Sequence, residues 1–130
     1  MSIEKTLFAA ADKMRGAMDP GEYKHVALGL LFLRYISLRF DQVHAHLTAD
    51  DYADPEDPDE YLAENVFYVP REARWSTLQA ASKDPRIGVM IDDAMRAIEK
   101  RNETLKGALP KVFGRESLDR SIVSGLIDLF

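Results

Sequence analysis

The spacing of apolar residues predicts one long helix at the centre of the fold. From Val26 to Phe40, eleven of fifteen residues are apolar, and they fall on every side of a helical wheel. A helix that is apolar all round is expected to be buried, and the run is too long for a strand. Pro20 suits the first helical turn, and the helix is predicted to continue to about His46, which spans roughly 40 Å. Its midpoint residues Leu30 and Leu31 are both predicted to be buried.

Capping signals divide the chain on either side of this helix. Ser2 is predicted to cap a first helix that ends near Gly16, and the short link that follows predicts an antiparallel helical hairpin. Asp19 and Glu22 form the capping box of the central helix. The apolar positions of the first helix lie at helical spacing and are Leu7, Phe8, Ala11 and Met14.

An acidic segment follows the central helix. Between residues 50 and 64 it carries eight acids and no base, and it contains two prolines without helical or strand periodicity. It is therefore predicted to be a solvated loop. Asp57, Pro58 and Glu60 repeat the capping signature and predict a short helix through Tyr61 and Leu62.

The second half alternates short helices with irregular segments. Asn65 to Pro70 is rich in strand formers, but one short strand makes no sheet, so an extended segment lying against the helices is expected. Ser76 and Gln79 predict a capped short helix. Asp84 and Pro85 are predicted to start a stronger helix that ends near Asn102, and Leu105 to Phe113 is predicted to be a looser connector. The apolar stripe of the stronger helix comprises Ile87, Ile91, Ala94, Met95 and Ile98.

A last helix is predicted after Ser117, and it has no stop signal before the apolar end at Leu129 and Phe130. Either these two side chains pack into the core, or the chain is a fragment of a longer protein, which is the favoured interpretation. The fold class is therefore all-α: a compact helical domain (residues 1–130) around one long buried central helix, with one short extended segment.

Composition restricts the class of protein. No apolar run approaches the roughly 20 residues of a membrane span, the first 20 residues lack a signal-peptide core, and cysteine is absent. A cytoplasmic protein is expected. The net charge of −5 is concentrated in the acidic segment, because the other 14 of the 22 acids are outnumbered by 17 Lys and Arg residues. The acidic total therefore leaves nucleic acid open as a partner.

No catalytic, cofactor-binding or metal-binding constellation is found in the sequence. His44 and His46 point about 200° apart on a helix and cannot share a metal, while Asp41 and His44 provide only two ligands. Arg34 and Arg39 on the central helix are expected to pair with acids such as Asp12, Asp41 or Asp93. The aromatic residues Phe67, Tyr68 and Trp75 are interpreted as core anchors rather than as a platform for stacking bases.

Three blocks in order carry a resemblance to a known family. They are AADKMRGAMDPGEYKHVALGLLFLRYIS, FYVPREARWSTLQ and IGVMIDDAMRAIEKRNETLKGALPKVF. From residue 7 to residue 130 the chain closely resembles the N-terminal domain of the DNA-methyltransferase (modification) subunit of type I restriction–modification systems. The resemblance implies an all-helical accessory domain that serves subunit assembly and closure around DNA.

The resemblance also sets expectations for the full-length subunit. It implies S-adenosylmethionine-dependent methylation of adenine N6 on DNA, in a complex with a specificity subunit, a restriction subunit and a second modification subunit. The family's Asn-Pro-Pro-aromatic motif and Gly-rich cofactor loop are absent from this sequence, so this stretch is expected to be non-catalytic and to bind no cofactor. The alternative is a free-standing helical protein-interaction module with no nucleic-acid role.

One basic region is the candidate contact with DNA. Between residues 96 and 120, seven bases outnumber four acids. This surplus is also compatible with a solvated helix face, but the resemblance to a DNA-clamping subunit favours contact with the phosphate backbone. The candidate residues are Lys100, Arg101, Lys106 and Lys111.

Overall fold

A computed structural model describes residues 20–114 and 120–130 of the chain. These residues form five α-helices, two 3-10 turns and no strand, which confirms the all-α class. The predicted first helix, its link and the Asp19 cap lie outside the described residues. The helices are α1 (Pro20–Thr48), α2 (Pro58–Ala63), α3 (Trp75–Ala80), α4 (Ile87–Arg101) and α5 (Arg120–Leu129), and the 3-10 turns are Arg71–Ala73 and Glu103–Leu105.

Helix α1 is the long element around which the core is built. Its 29 residues span about 43 Å at 1.5 Å per residue. One face is buried from Val26 to Leu47, and Leu30 on this face is fully buried. The buried apolar residues of this face are Val26, Ala27, Leu30, Leu33, Ile36, Phe40 and Leu47.

The prediction of burial on all sides of α1 is wrong. Leu28, Phe32, Tyr35 and Leu38 are 49%, 39%, 60% and 40% exposed, and Leu31 is only partly buried. The physical reason is that α3 and α5 contact α1 from its other side, so in the described residues nothing covers this face. Apolar composition indicates how much of the helix surface favours burial. It does not indicate how many neighbouring elements are present to bury that surface.

Helix α4 forms the second side of the core, as predicted. Ile87, Ile91, Ala94, Met95 and Ile98 are all buried, because i, i+4, i+7, i+8 spacing places them on one face. The helix begins at Ile87 rather than at Pro85, and Asp84 accepts a hydrogen bond from the Arg86 N–H (2.8 Å) in the turn before it.

The connector after α4 is held in place rather than loose. The buried carboxylate of Asp92 accepts hydrogen bonds from the N–H groups of Phe113 (3.0 Å) and Gly114 (2.8 Å). Glycines allow the connector to approach both long helices. A Cβ on Gly29 would lie 2.7 Å from Pro110 Cγ, and a Cβ on Gly88 would lie 2.1 Å from the Phe113 carbonyl oxygen.

The extended segment lies against the helices, as predicted, and Asn102 explains how. Its side-chain amide donates to the carbonyl of Tyr68 (2.8 Å) and to that of Ile98 (2.7 Å), and its side-chain oxygen accepts from the Tyr68 N–H (3.0 Å). One side chain therefore satisfies both backbone groups of Tyr68 in the way that a neighbouring strand would. Asn102 also ends α4, as the sequence predicted.

Helix α3 begins one residue earlier than its predicted capping box, and the Ser76–Gln79 box does not cap it. The Trp75 N–H instead donates to Ser37 Oγ (2.6 Å), a buried hydroxyl on α1. Ser37 and Trp75 are far apart in sequence, so local pattern could not reveal this cap. Trp75 is buried, which confirms its role as a core anchor.

Helix α5 packs with its apolar face on α1, α3 and α4. Val123, Leu126, Ile127 and Phe130 are buried. Phe130 is therefore part of the core, and Leu129 packs against it while only partly buried, so the predicted docking of these two side chains is confirmed for Phe130 and partial for Leu129.

Candidate functional site

Glu56 connects the acidic segment to the helices. Its Oε2 accepts a 2.8 Å hydrogen bond from His44 Nε2 on α1, and its Oε1 accepts a 2.8 Å hydrogen bond from Arg74. The Tyr68 hydroxyl also donates to Oε1 at 3.4 Å, and Arg71 Nε lies 3.8 Å away. The prediction of a solvated loop is therefore wrong at Glu56, because this carboxylate is partly buried among cations.

An aromatic cluster lies beneath this carboxylate. The rings of Phe40 and Tyr61 stack with their centroids 4.5 Å apart, and Tyr68 meets Phe40 edge-on at 5.5 Å. The Arg74 guanidinium lies 4.5 Å from the Phe40 ring centroid. The Tyr61 hydroxyl donates to the Pro55 carbonyl (2.6 Å), so the cluster holds both ends of the segment that contains Glu56.

The electrostatic state of the cluster follows from these contacts. Burial raises the pKa of Glu56, but the hydrogen bonds from Arg74 and His44 outweigh it, so the pKa lies below its usual value. Burial, with the nearby Glu56 charge, raises the pKa of Tyr61 to about 12. Glu56 is thus ionised and Tyr61 neutral at physiological pH, so the Glu56 carboxylate can accept hydrogen bonds and the Tyr61 hydroxyl can donate to Pro55.

The polar residues of α1 make different contacts from those that the sequence suggested. His44 pairs with Glu56, twelve residues away, rather than with Asp41. Arg39 donates to the side-chain oxygen of Gln42 (2.7 Å) instead of pairing with an acid. Arg34 Nε is buried and has no hydrogen-bond partner within the part of the chain that the structure describes. The predicted pairing of Arg34 and Arg39 with Asp41 or Asp93 is wrong, and Asp12 lies outside the described residues.

Of the four candidate contacts with DNA, Lys111 is already engaged. Its Nζ lies 2.6 Å from Glu99 Oε2, and the side chains of Lys111 and Glu99 are only 24% and 10% exposed. Glu99 also accepts hydrogen bonds from the N–H groups of Gly107 (3.0 Å) and Leu109 (3.1 Å). Although burial raises the pKa of Glu99, these hydrogen bonds lower it below its usual value. Lys111 therefore neutralises a nearly buried carboxylate that organises the connector.

Lys100 and Arg101 line an open groove in the last turn of α4. The guanidinium of Arg101 lies 5.7 Å from the centroid of the Tyr68 ring, which limits its orientations. Arg71, 79% exposed in the neighbouring 3-10 turn, reaches the same groove. We call this the basic groove. It has a volume of about 530 Å³, and its walls are Glu56, Tyr68, Pro70, Arg71, Glu72, Ala97, Lys100 and Arg101.

The structure thus brings together only part of the predicted basic region. Lys100 and Arg101 share the basic groove, whereas Lys106 is exposed on the connector after the second 3-10 turn. Arg71 was not predicted, because it lies about thirty residues away in sequence and carries no local signal. Two acids, Glu56 and Glu72, also face the groove, but the charge of Glu56 is offset by Arg74.

In the described residues of this all-α domain, buried polar side chains hold segments together, and exposed cations line an open groove. The chain matches the HsdM N-terminal domain over residues 3–130, and it belongs to that family.

Two curated relatives are methylase subunits of type I restriction enzymes. The type I restriction enzyme MjaIX methylase subunit of Methanocaldococcus jannaschii is 35% identical over an alignment of 144 positions, which covers 98% of this chain and 26% of the relative. The type I restriction enzyme HindI methylase subunit of Haemophilus influenzae is 38% identical over 74 positions, covering 48% of this chain and 16% of the relative. The chain therefore spans about a quarter of the length of the first relative. No helix within residues 20–114 and 120–130 is long and apolar enough to cross a membrane.

Proposed function

We propose that this chain is the N-terminal domain of a cytoplasmic type I modification subunit that methylates adenine N6 in DNA. The observation that carries the proposal is the match to the HsdM N-terminal domain along residues 3–130. The chain covers only 26% of a relative named as a methylase subunit. Catalysis and S-adenosylmethionine binding accordingly belong to the rest of the subunit, and residues 1–130 supply neither a catalytic nor a cofactor-binding residue.

Within that subunit, the domain serves assembly and closure around DNA. Its partners are DNA, a specificity subunit, a restriction subunit and a second modification subunit. Type I systems are named in the descriptions of both relatives, which supports an assembly of this kind. The sequence-specific contacts are assigned to the specificity subunit, so the contacts made by this domain are expected to be independent of sequence.

The basic groove is the surface that we assign to the phosphate backbone. Lys100 and Arg101 project from one helical turn, and Arg71 faces them across the groove, so the three cations can reach neighbouring phosphates of one strand. Lys106 extends the cationic surface along the connector. Lys111 contributes indirectly, because its pairing with Glu99 sets the path of that connector.

Deletion of the domain from the full-length subunit tests this function. The subunit is purified with its specificity subunit, and transfer of labelled methyl groups from S-adenosylmethionine to DNA is measured. The intact complex is expected to methylate adenine. Without residues 1–130, methylation should be lost while cofactor binding to the remaining part persists. Undiminished methylation after the deletion, or no methylation by the intact complex, would overturn the proposal.

A further inference from the structure

Glu56 brings a fixed negative charge to the wall of the basic groove. Its carboxylate accepts hydrogen bonds from Arg74 and His44, both at 2.8 Å. Its backbone is held as well, because the Glu56 N–H donates to Asp54 Oδ1 (2.9 Å) in the turn that precedes it. The hydrogen bonds to the carboxylate also hold the pKa of Glu56 below its usual value. Glu56 is therefore an ionised group that cannot easily move away from the groove.

Arg71 lines the same groove and is held far less firmly. Its Nε lies 3.8 Å from Glu56 Oε1, which is close enough for attraction between the charges but beyond hydrogen-bond distance. The Arg71 side chain is 79% exposed. Arg71 can therefore turn from the carboxylate to a phosphate without breaking a hydrogen bond to Glu56.

The two acids of the groove wall differ in how strongly they act. Glu72 is exposed, so water and salt screen its charge. The side chain of Glu56 is only 33% exposed, and its charge is screened less. Arg74 offsets the Glu56 charge at long range, but Glu56 Oε1 remains the anionic atom within ion-pair distance of Arg71. An incoming phosphate must therefore compete with Glu56 for this arginine.

We infer that Glu56 competes with the DNA phosphate for Arg71 and so weakens the hold of the basic groove on DNA. Without DNA, Arg71 pairs with Glu56. On binding, it turns to a phosphate beside Lys100 and Arg101, while Glu56 stays in place. The inference rests on the proposed function, because it requires the groove to bind the phosphate backbone.

The consequence is a groove that contributes little until DNA is already bound by the rest of the complex. Contacts to phosphates are independent of sequence, so a strong cationic groove would favour every site on a genome. An internal competitor keeps these contacts weak. The choice of site is then left to the specificity subunit.

Glu56→Gln in the full-length complex tests the inference. The amide retains hydrogen-bonding groups toward Arg74 and His44 but carries no charge, so Arg71 is released to the phosphate. Affinity for a duplex of arbitrary sequence, measured by fluorescence anisotropy at low salt, should rise about threefold or more. Glu72→Gln is the matched control, because it removes the same charge from the same groove wall without releasing Arg71, and its gain should be smaller.

A double-mutant cycle shows whether Arg71 carries the effect. In an Arg71→Gln background, the gain from Glu56→Gln should fall to that of Glu72→Gln. No gain, a gain no larger than that of Glu72→Gln, or an equal gain with and without Arg71 would overturn the inference. If Glu56→Gln alone unfolds the domain in circular dichroism, Glu56→Gln with Arg74→Gln removes both charges of the pair and leaves neither unpaired. That variant should show the same dependence on Arg71.

Lys100→Glu with Arg101→Glu separates this inference from the assignment of the groove to DNA. If that variant loses DNA affinity while Glu56→Gln brings no gain, only the competition by Glu56 is refuted. If it retains full affinity, the groove does not bind DNA, and the assignment on which the inference rests is refuted as well.

Discussion

The Nζ of Lys111 lies 2.6 Å from the carboxylate of Glu99, and this pair determines how the basic region should be interpreted. In the sequence, Lys111 is one of several cations in the basic region from residue 96 to residue 120. In the structure, it neutralises the nearly buried charge of Glu99 and helps to position the connector. Its substitution is therefore expected to affect stability first.

Lys111→Met should destabilise the protein by about 2 kcal/mol, because it leaves the nearly buried Glu99 carboxylate without its cation. Lys106→Met is the matched control, since Lys106 is exposed and has no such partner in the described residues; its effect should stay within about 0.5 kcal/mol. Urea unfolding at neutral pH measures both. Equal effects for the two variants would show that the Lys111–Glu99 pair contributes nothing measurable.

Leu30→Ala and Leu31→Ala should differ although the residues are adjacent. Leu30 is fully buried against the core, so its truncation should cost about 2–5 kcal/mol. Leu31 is only partly buried, and its loss should cost about half as much or less, because less apolar surface returns to water. A larger loss for Leu31 in denaturant unfolding would mean that the Leu31 side chain is more fully covered than the described residues show.

Gly88→Ala should cost about 3 kcal/mol, because the added methyl group would lie 2.1 Å from the Phe113 carbonyl oxygen and push the connector away from α4. Gly107→Ala is the comparison. Gly107 has a φ of +77° but no atom near its missing side chain, so only backbone strain of about 1–2 kcal/mol is expected. Thermal unfolding that ranks Gly107 as the costlier site would contradict the packing described for the connector.

Lowering the pH should reduce the stability of the folded protein through protonation of Glu99. Its pKa in the folded protein lies below the ordinary value of 4.5, so the carboxylate stabilises the fold above pH 4.5. This contribution is lost as the pH falls through the lowered pKa. Glu99→Gln should therefore be less stable than the natural protein at pH 7, and the difference should shrink toward pH 3. Glu103→Gln changes an exposed neighbouring acid and is the control; it should leave the stability at pH 7 within about 0.5 kcal/mol of the natural protein. A Glu99→Gln deficit that is constant from pH 7 to pH 3 would argue against this linkage.

The sequence was most informative where one local pattern decided the structure. Asp57 caps α2 by accepting from the Asp59 N–H at 3.0 Å, and every member of the α4 stripe is buried. Both features depend on residues within one or two turns of each other. Their physical causes, a cap and a helical face, are visible in the spacing alone.

Contacts between distant residues could not be predicted in this way. Glu56 looked like one of eight solvated acids, yet Arg74 and His44 surround it. Ser37 caps a helix that begins 38 residues later. Arg71 joins Lys100 and Arg101 only because the first 3-10 turn packs on α4. In each case the partner is chosen by the tertiary fold, and nothing in the local sequence identifies it.

We propose that the basic groove of this domain contacts the DNA backbone in a type I modification complex. The salt dependence of DNA affinity in the full-length complex is the decisive measurement. If about three phosphates are neutralised, the logarithm of affinity should fall with the logarithm of salt concentration with a slope contribution of about −2.7 from this domain. Lys100→Glu with Arg101→Glu should reduce the slope by about 1.8 on any duplex sequence, and Arg71→Glu by about 0.9. Arg96→Glu, on the same helix outside the groove, is the control and should leave the slope unchanged. An unchanged slope and affinity in the double variant would contradict the claim and show that these cations only keep the surface soluble.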